Sequence, residues 1–405
     1  MRAPAAAGRS HRRLGRAVLG ALALPGTVLC LQGCARPERA EPPSAASGSA
    51  PAAVTASAAG TSIAAAGPRG GPTAGTGEPA LPVPVPEPGP DAPVPVVDLH
   101  VDTAWQVHSK GRLPSLPEGH ITAEALRAGH YAAVLFAIYV PDDARGGKPR
   151  PADTEAVLGT IEKILAANPS LRLASQGPAP PGAVAVYLGI EGARAFASDP
   201  AKIDGFIARG VRLVGPVHAH DNAFSSSATG SARHGLTAAG KALCRRIYEQ
   251  GALVDASHMS DAAFADLVPI AEAAGAPIVA SHSNARAKCR NKRNLTDDQL
   301  RAIARTGGIA GLNFHGKFIA SRRATIDDLV RHALHMVGVA GIDHLAIGSD
   351  FDGATPARGL EDASRLPDLA RALGAAGLSQ ADVRKIFSDN ALRVLGWKGR
   401  GGTGR

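Results

Sequence analysis

Residues 94–102 read VPVVDLHVD, a short apolar, β-branched run that closes on a histidine and an aspartate. The same construction recurs downstream. Apolar runs occupy 131–140 (YAAVLFAIYV), 183–191 (AVAVYLGIE), 211–218 (VRLVGPVH), 252–258 (ALVDASH), 277–282 (PIVASH), 307–314 (GGIAGLNF) and 344–350 (HLAIGSD). Several of the segments between them are patterned as helices, for example DAAFADLVPIAEAAG (261–275) and DDQLRAIARTG (297–307). Strand alternating with helix argues for a parallel sheet. Eight such units in roughly 310 residues predict a closed α/β barrel, the (β/α)8 or TIM-like type, whose ligands gather at the carboxyl ends of its strands.

Those ends carry the chemistry. His100, Glu191, His218, His258, His282 and Asp350 each close an apolar run. A single histidine there reads as a hydrogen-bonded core residue. Six imidazoles and carboxylates converging on one mouth are different, because leaving them unpaired would carry a large desolvation penalty. A metal centre removes that penalty. Asp102 follows His100 by two, and alternation in an extended chain places both on one side, within reach of one ion. Imidazole with carboxylate suits zinc.

The chain outside the runs is of another kind. Residues 1–33 hold Arg2, Arg9, Arg12, Arg13 and Arg16, then the apolar stretch AVLGALALPGTVLCL (17–31), then the start of LQGC (31–34). This predicts a signal peptide over 1–33, with Cys34 as the acylated first residue of a bacterial lipoprotein. Residues 34–93 are rich in Ala, Gly and Pro and almost free of large apolar side chains. They cannot bury enough surface to offset the entropy of ordering, so a disordered linker is expected. The folded domain is then 94–405, held at the cell envelope by a lipid anchor in the membrane. The formal net charge is +9, and the leader contributes five arginines with no Lys, Asp or Glu, which leaves 9 − 5 = +4. That balance, and the absence of a basic stripe interleaved with aromatics, gives no reason to expect a nucleic-acid partner. Cys30, Cys34, Cys244 and Cys289 form no disulfide framework, although Cys244 and Cys289 could pair in an oxidising compartment.

Longer motifs add a resemblance. DLHVDT, YLGIEGA, GVRLVGPVHAHDN, GLTAAGK, LVDASHMS, SHSNARAKCRNKRN, IGSDFDG and NALRVL run in order from Asp98 to Leu395. Together they resemble the membrane (renal) dipeptidase family of the amidohydrolase superfamily. The resemblance implies a binuclear zinc peptidase with two ions per chain. His100 and Asp102 would hold one zinc, His258 and His282 the other, and Glu191 would bridge them. His218 would sit near the substrate carbonyl oxygen, Arg293 would grip the substrate carboxylate, and Asp350 would transfer the proton. The implied substrates are dipeptides, often with a D-residue second, and some relatives hydrolyse β-lactams. Family members are often homodimers.

Asp255 and Asn222 are expected to fix the imidazole tautomers by hydrogen bonding behind the ligands. Asp352 reads as turn chemistry beside Gly353. Where some relatives carry a histidine after the bridging glutamate, this chain has EGARAF with Arg194. The Ser- and Gly-rich stretch AHDNAFSSSATGSARHG (219–235) is expected to be a mobile rim. His315 is open between lining the pocket and a structural role. Two other functions compete. A different binuclear amidohydrolase, such as a lactonase, would usually carry a carboxylated lysine on the fourth strand, and VRLVGPVH has none. A non-catalytic binding lipoprotein should have lost ligands, and all five are present.

Overall fold

The computed structural model describes residues 93–399. The predicted leader, the linker up to residue 92 and Cys34 lie outside the described residues. Nine strands are present among the described residues: β1 (Val96–Val101), β2 (Tyr131–Tyr139), β3 (Leu171–Leu173), β4 (Val184–Glu191), β5 (Val211–Val214), β6 (Leu253–Val254), β7 (Val279–Ala280), β8 (Ile309–Leu312) and β9 (Leu345–Ile347). Each of the eight apolar runs supplies one of them. The sheet order is β6-β5-β4-β2-β1-β9-β8-β7, and the ladders are parallel. A parallel bridge between Asp255 and Val279 brings the two ends together, and the Ala256 N–H donates to the Val279 carbonyl at 2.7 Å. The result is the expected (β/α)8 barrel.

The strands are apolar without alternation because both faces are covered. All six residues of β1 are buried. The strand not foreseen, β3, pairs only with β4 and lies off the barrel path. Its three residues are too few to register as an apolar run. Several of the helices around the barrel begin where side chains cap them. Before helix Asp297–Arg305, the Thr296 hydroxyl accepts from the Gln299 N–H at 3.2 Å, and the Gln299 side chain accepts from the Thr296 N–H at 2.8 Å. No helix among the described residues is long and apolar enough to cross a membrane.

Regular strand stops earlier than the runs do. Only His100 and Glu191 lie inside strands; His218, His258, His282 and Asp350 stand on the loops that leave β5, β6, β7 and β9. Two of these residues pay a conformational cost, with His258 at φ +69° and Asp350 at φ +62°, in the left-handed region that non-glycine residues rarely adopt. The backbone there serves to aim a side chain.

Candidate metal centre

The loops converge on Glu191. Its Oε1 lies 2.9 Å from His258 Nε2, 3.6 Å from His100 Nε2, 3.6 Å from His282 Nε2 and 3.9 Å from His218 Nε2. Asp102 Oδ2 is 3.4 Å from His100 Nε2. Three overlapping groups have ligand spacing: His100, Glu191 and His282; Glu191, His218 and His258; and His100, Asp102 and Asp350. All five expected ligands are therefore brought together, with His218 and Asp350 beside them. The spacing by itself does not separate those two from the ligands.

The donor set suits a bound cation. His100 Nε2 and His258 Nδ1 are buried with no hydrogen-bond partner. At His100 burial opposes protonation, but the carboxylates of Glu191 and Asp102 outweigh it and push the pKa up to about 10. Burial pushes His258 and His282 well below the ordinary imidazole range, helped by neighbouring cations. Burial also raises Glu191. Imidazole and carboxylate groups this close pull one another's protons in opposite directions, and a divalent ion satisfies them together.

The support around the ligands differs in part from expectation. Asp255 Oδ2 accepts from the Ser281 hydroxyl at 2.5 Å, and Ser281 Oγ lies 2.7 Å from His282 Nδ1. Asp255 thus acts on His282 through Ser281, a relay the sequence did not suggest. Asn222 does not orient an imidazole. It donates to the Pro216 carbonyl and accepts from Phe224 N and Ser225 N, so it shapes its own loop. The loop expected to be mobile is pinned. Ser225, Ser226 and Ser227 are buried, Asp221 accepts from the N–H groups of Ser227, Ser231 and Ala232, and Ala228 N donates to the His258 carbonyl. Arg194 helps by donating to the carbonyls of Gly147 and Asp221.

Beside the cluster is a cavity of about 380 Å³. Arg293 enters it from the loop after β7, with its guanidinium carbon 5.4 Å from the Phe318 ring centre and one Nη buried and unpartnered. Opposite stand Trp105 and Tyr139, whose rings meet edge to face at 5.2 Å, and Tyr139 packs against His218 at 4.8 Å. His315 also lines the cavity, which decides its role toward the pocket. Asp350 is pushed up to about 7, chiefly by burial and then by the charge of Asp102. A larger hollow of about 830 Å³ surrounds Tyr248 and Trp397. It contains none of the clustered ligands, so the chemistry selects the smaller cavity.

Sequence reasoning missed three neighbours. Asp142 is buried, accepts from His220 N at 3.1 Å and places Oδ2 3.6 Å from His218 Nδ1. It stands three residues beyond β2, outside any run. Asn313 follows β8 and donates to Asp350. Asp352 is more than a turn residue. Its buried carboxylate accepts from Thr103, Arg112 and the His120 N–H, tying residues 103–120 to the β9 loop. Cys244 and Cys289 are both buried and no disulfide joins them.

Comparison with known proteins places this geometry. The chain is 40% identical over 223 residues, 52% of its length and 81% of the other's, to an uncharacterized protein in the pqqA 5' region of Klebsiella pneumoniae. It is 30% identical over 303 residues, 68% of its length and 69% of the other's, to dipeptidase tcpJ of Claviceps purpurea. A Rhodobacter sphaeroides metallopeptidase, solved with a phosphinate mimic of the dipeptide L-Ala-D-Ala, superposes with a TM-score of 0.68 at 28% identity, over 76% of this chain and 100% of that one. The profile of the membrane dipeptidase family matches residues 92–398, most of the sequence, and the chain belongs to that family of metallopeptidases, peptidase family M19.

Proposed function

We propose that this chain is a zinc-dependent dipeptidase that cleaves dipeptides with a free carboxylate, including those with a D-residue in the second position. One observation carries the reading: a cluster of imidazoles and carboxylates shares a 380 Å³ cavity with a buried, incompletely partnered guanidinium. A cavity of that volume suits a dipeptide. The ligand of the Rhodobacter neighbour supports a D-residue in second place.

In this reading His100 and Asp102 would hold one zinc ion, His258 and His282 would hold a second, and Glu191 would serve both. Bound zinc supplies positive charge and lowers the pKa of water, so that a nucleophile exists near neutral pH. The chain's own residues do the rest. The Arg293 fork matches a terminal carboxylate and orients the substrate. His218 faces the carbonyl oxygen, where negative charge develops. Asp350 accepts the proton of the attacking water and returns it to the departing amine nitrogen. A lipid on Cys34 and the linker hold the domain at the bacterial envelope.

A panel of L,L and L,D dipeptides, free and C-terminally amidated, tests the reading on zinc-loaded protein. Hydrolysis of the free forms, abolished by chelation and restored by zinc, is expected. Activity that survives complete removal of metal would overturn it.

A further inference from the structure

We propose that Asn313 is the positioning residue of Asp350, and that it leaves this carboxylate one oxygen with which to exchange a proton. The inference rests on the reading of Asp350 as the proton-transfer group.

Asn313 is fully buried. Its main chain is locked by the side chain of Asn284, whose Oδ1 accepts from Asn313 N at 3.0 Å and whose Nδ2 donates to the Asn313 carbonyl at 2.7 Å. Its own Oδ1 accepts from His315 N at 2.6 Å, which settles which end of the amide is oxygen. Nδ2 therefore carries both N–H groups. One donates to Asp350 Oδ2 at 3.0 Å and the other to the His282 carbonyl at 3.3 Å. A side-chain amide held by three hydrogen bonds on a locked main chain cannot follow a carboxylate that turns.

The other oxygen is placed from the opposite side. A Cβ on Gly353 would stand 2.6 Å from Asp350 Oδ1 and 2.0 Å from Asp102 Oδ2. Oδ1 thus occupies the space that glycine leaves open, beside a metal-ligating carboxylate. The two oxygens are not equivalent. A proton arriving on Oδ2 would meet the Asn313 N–H, whereas Oδ1 has no such donor. In the cycle the proton passes from water to Oδ1 and then from Oδ1 to the amine nitrogen, and the carboxylate is regenerated. Both transfers use one atom, so a carboxylate that rotated between them would lose the proton's position.

Asn313→Asp tests this. It keeps the shape and the oxygen that serves His315 N, and replaces the donor toward Asp350 with an acceptor. In zinc-loaded protein kcat should fall roughly 10- to 100-fold, with KM within about threefold and metal content unchanged. In an Asp350→Asn background the same substitution should change kcat by less than about twofold, since the two residues act as a unit. Where Asn313→Asp does not fold, Asn313→Leu is judged by the same measurements. Unchanged kcat, an equal loss in both backgrounds, or loss of metal would overturn the proposal, the last assigning Asn313 to His282. A slow Asp350→Asn with a fast Asn313→Asp defeats this inference alone. Near-normal turnover of Asp350→Asn defeats the reading of Asp350, and this inference with it.

Discussion

His258 and His282 face each other through their Nε2 atoms at 3.0 Å. The hydrogen bonds behind His282 fix its tautomer. Asp255 takes the Ser281 hydroxyl proton, so Ser281 Oγ is left to accept, and His282 Nδ1 must donate to it. The lone pair of His282 is then on Nε2, pointing at His258 and Glu191. Two imidazole nitrogens converging beside a carboxylate form a socket for a cation.

Removing the relay should loosen that socket without emptying it. Ser281→Ala leaves both imidazoles in place but frees the tautomer of His282 and leaves a buried Asp255 oxygen without its donor. Zinc affinity, measured by competition with a chromogenic chelator, should fall about 10- to 100-fold. Affinity equal to wild type would show that the relay does not tune the ligand.

Much of this site was legible in the sequence, for a physical reason. His100, Glu191 and their counterparts end buried apolar runs, and burial makes such runs stand out. Residues that act across the barrel leave no local mark. Asn313 lies 37 residues before Asp350, one strand earlier in the chain, and Ser281 sits between a strand and His282 like any small residue. Asp142 lies in the polar stretch PDDARGGK (141–148), outside any apolar run. In the 219–235 loop serine and glycine suggest mobility, whereas the hydroxyls of Ser225, Ser226 and Ser227 are buried and bonded, as at Ser227 Oγ to the His218 carbonyl at 2.6 Å. Composition does not report where a hydroxyl finds its partner.

Gly353 is a strict case of close approach. Because a Cβ there would fall 2.0 Å from Asp102 Oδ2 and 2.6 Å from Asp350 Oδ1, both carboxylates must move to admit it. Gly353→Ala should therefore lower zinc content and reduce kcat at least about 100-fold, with the melting temperature of the apo form little changed. Full activity in a zinc-replete Gly353→Ala protein would mean that the β9 loop shifts freely, contrary to its ties through Asp352.

His332 offers a stability test away from the metals. Its Nδ1 accepts from Ala285 N at 3.2 Å, and its Nε2 donates to the Ile319 carbonyl at 3.0 Å. Burial lowers its pKa from 6.5 to about 4. The unfolded chain therefore binds a proton before the folded one does, and stability falls as pH drops from about 6.5 toward about 4. At pH 4.5 the loss is roughly 2 to 3 kcal/mol relative to neutral pH. Glutamine can both accept and donate there, so urea melts of chelator-treated His332→Gln should be less pH-dependent than wild type by about that amount. Parallel curves would assign the acid sensitivity elsewhere.

Anchoring is tested at Cys34. The leader and the LQGC sequence predict a lipid on this residue after export. A single substitution, Cys34→Ala, should shift the protein from the membrane pellet to the soluble fraction of a bacterial host while specific activity stays the same. Wild-type protein that is already soluble after export would remove the anchor.

In the proposed function Arg293 is the residue on which substrate choice turns. It is 5% exposed, its backbone N–H donates to Asn291 Oδ1 at 2.9 Å, and its guanidinium packs over Phe318. Burial lowers its pKa, opposed by Asp350 and Glu191, yet a guanidinium stays charged under any working condition. A permanent planar cation with an unpartnered Nη lines the same cavity as Glu191, His258, His282 and Asp350, and in the proposed function it takes the end of the substrate away from the scissile bond. Lysine would keep the charge but lose the fork and the stacking on Phe318. Arg293→Lys should therefore raise KM for free dipeptides about 10- to 100-fold, change KM for C-terminally amidated ones by less than about threefold, and leave zinc content intact. The selectivity ratio between the two substrates is the measurement that matters, because a general disturbance of the site lowers both. Equal losses would mean that Arg293 holds the cavity wall together and that another group reads the carboxylate.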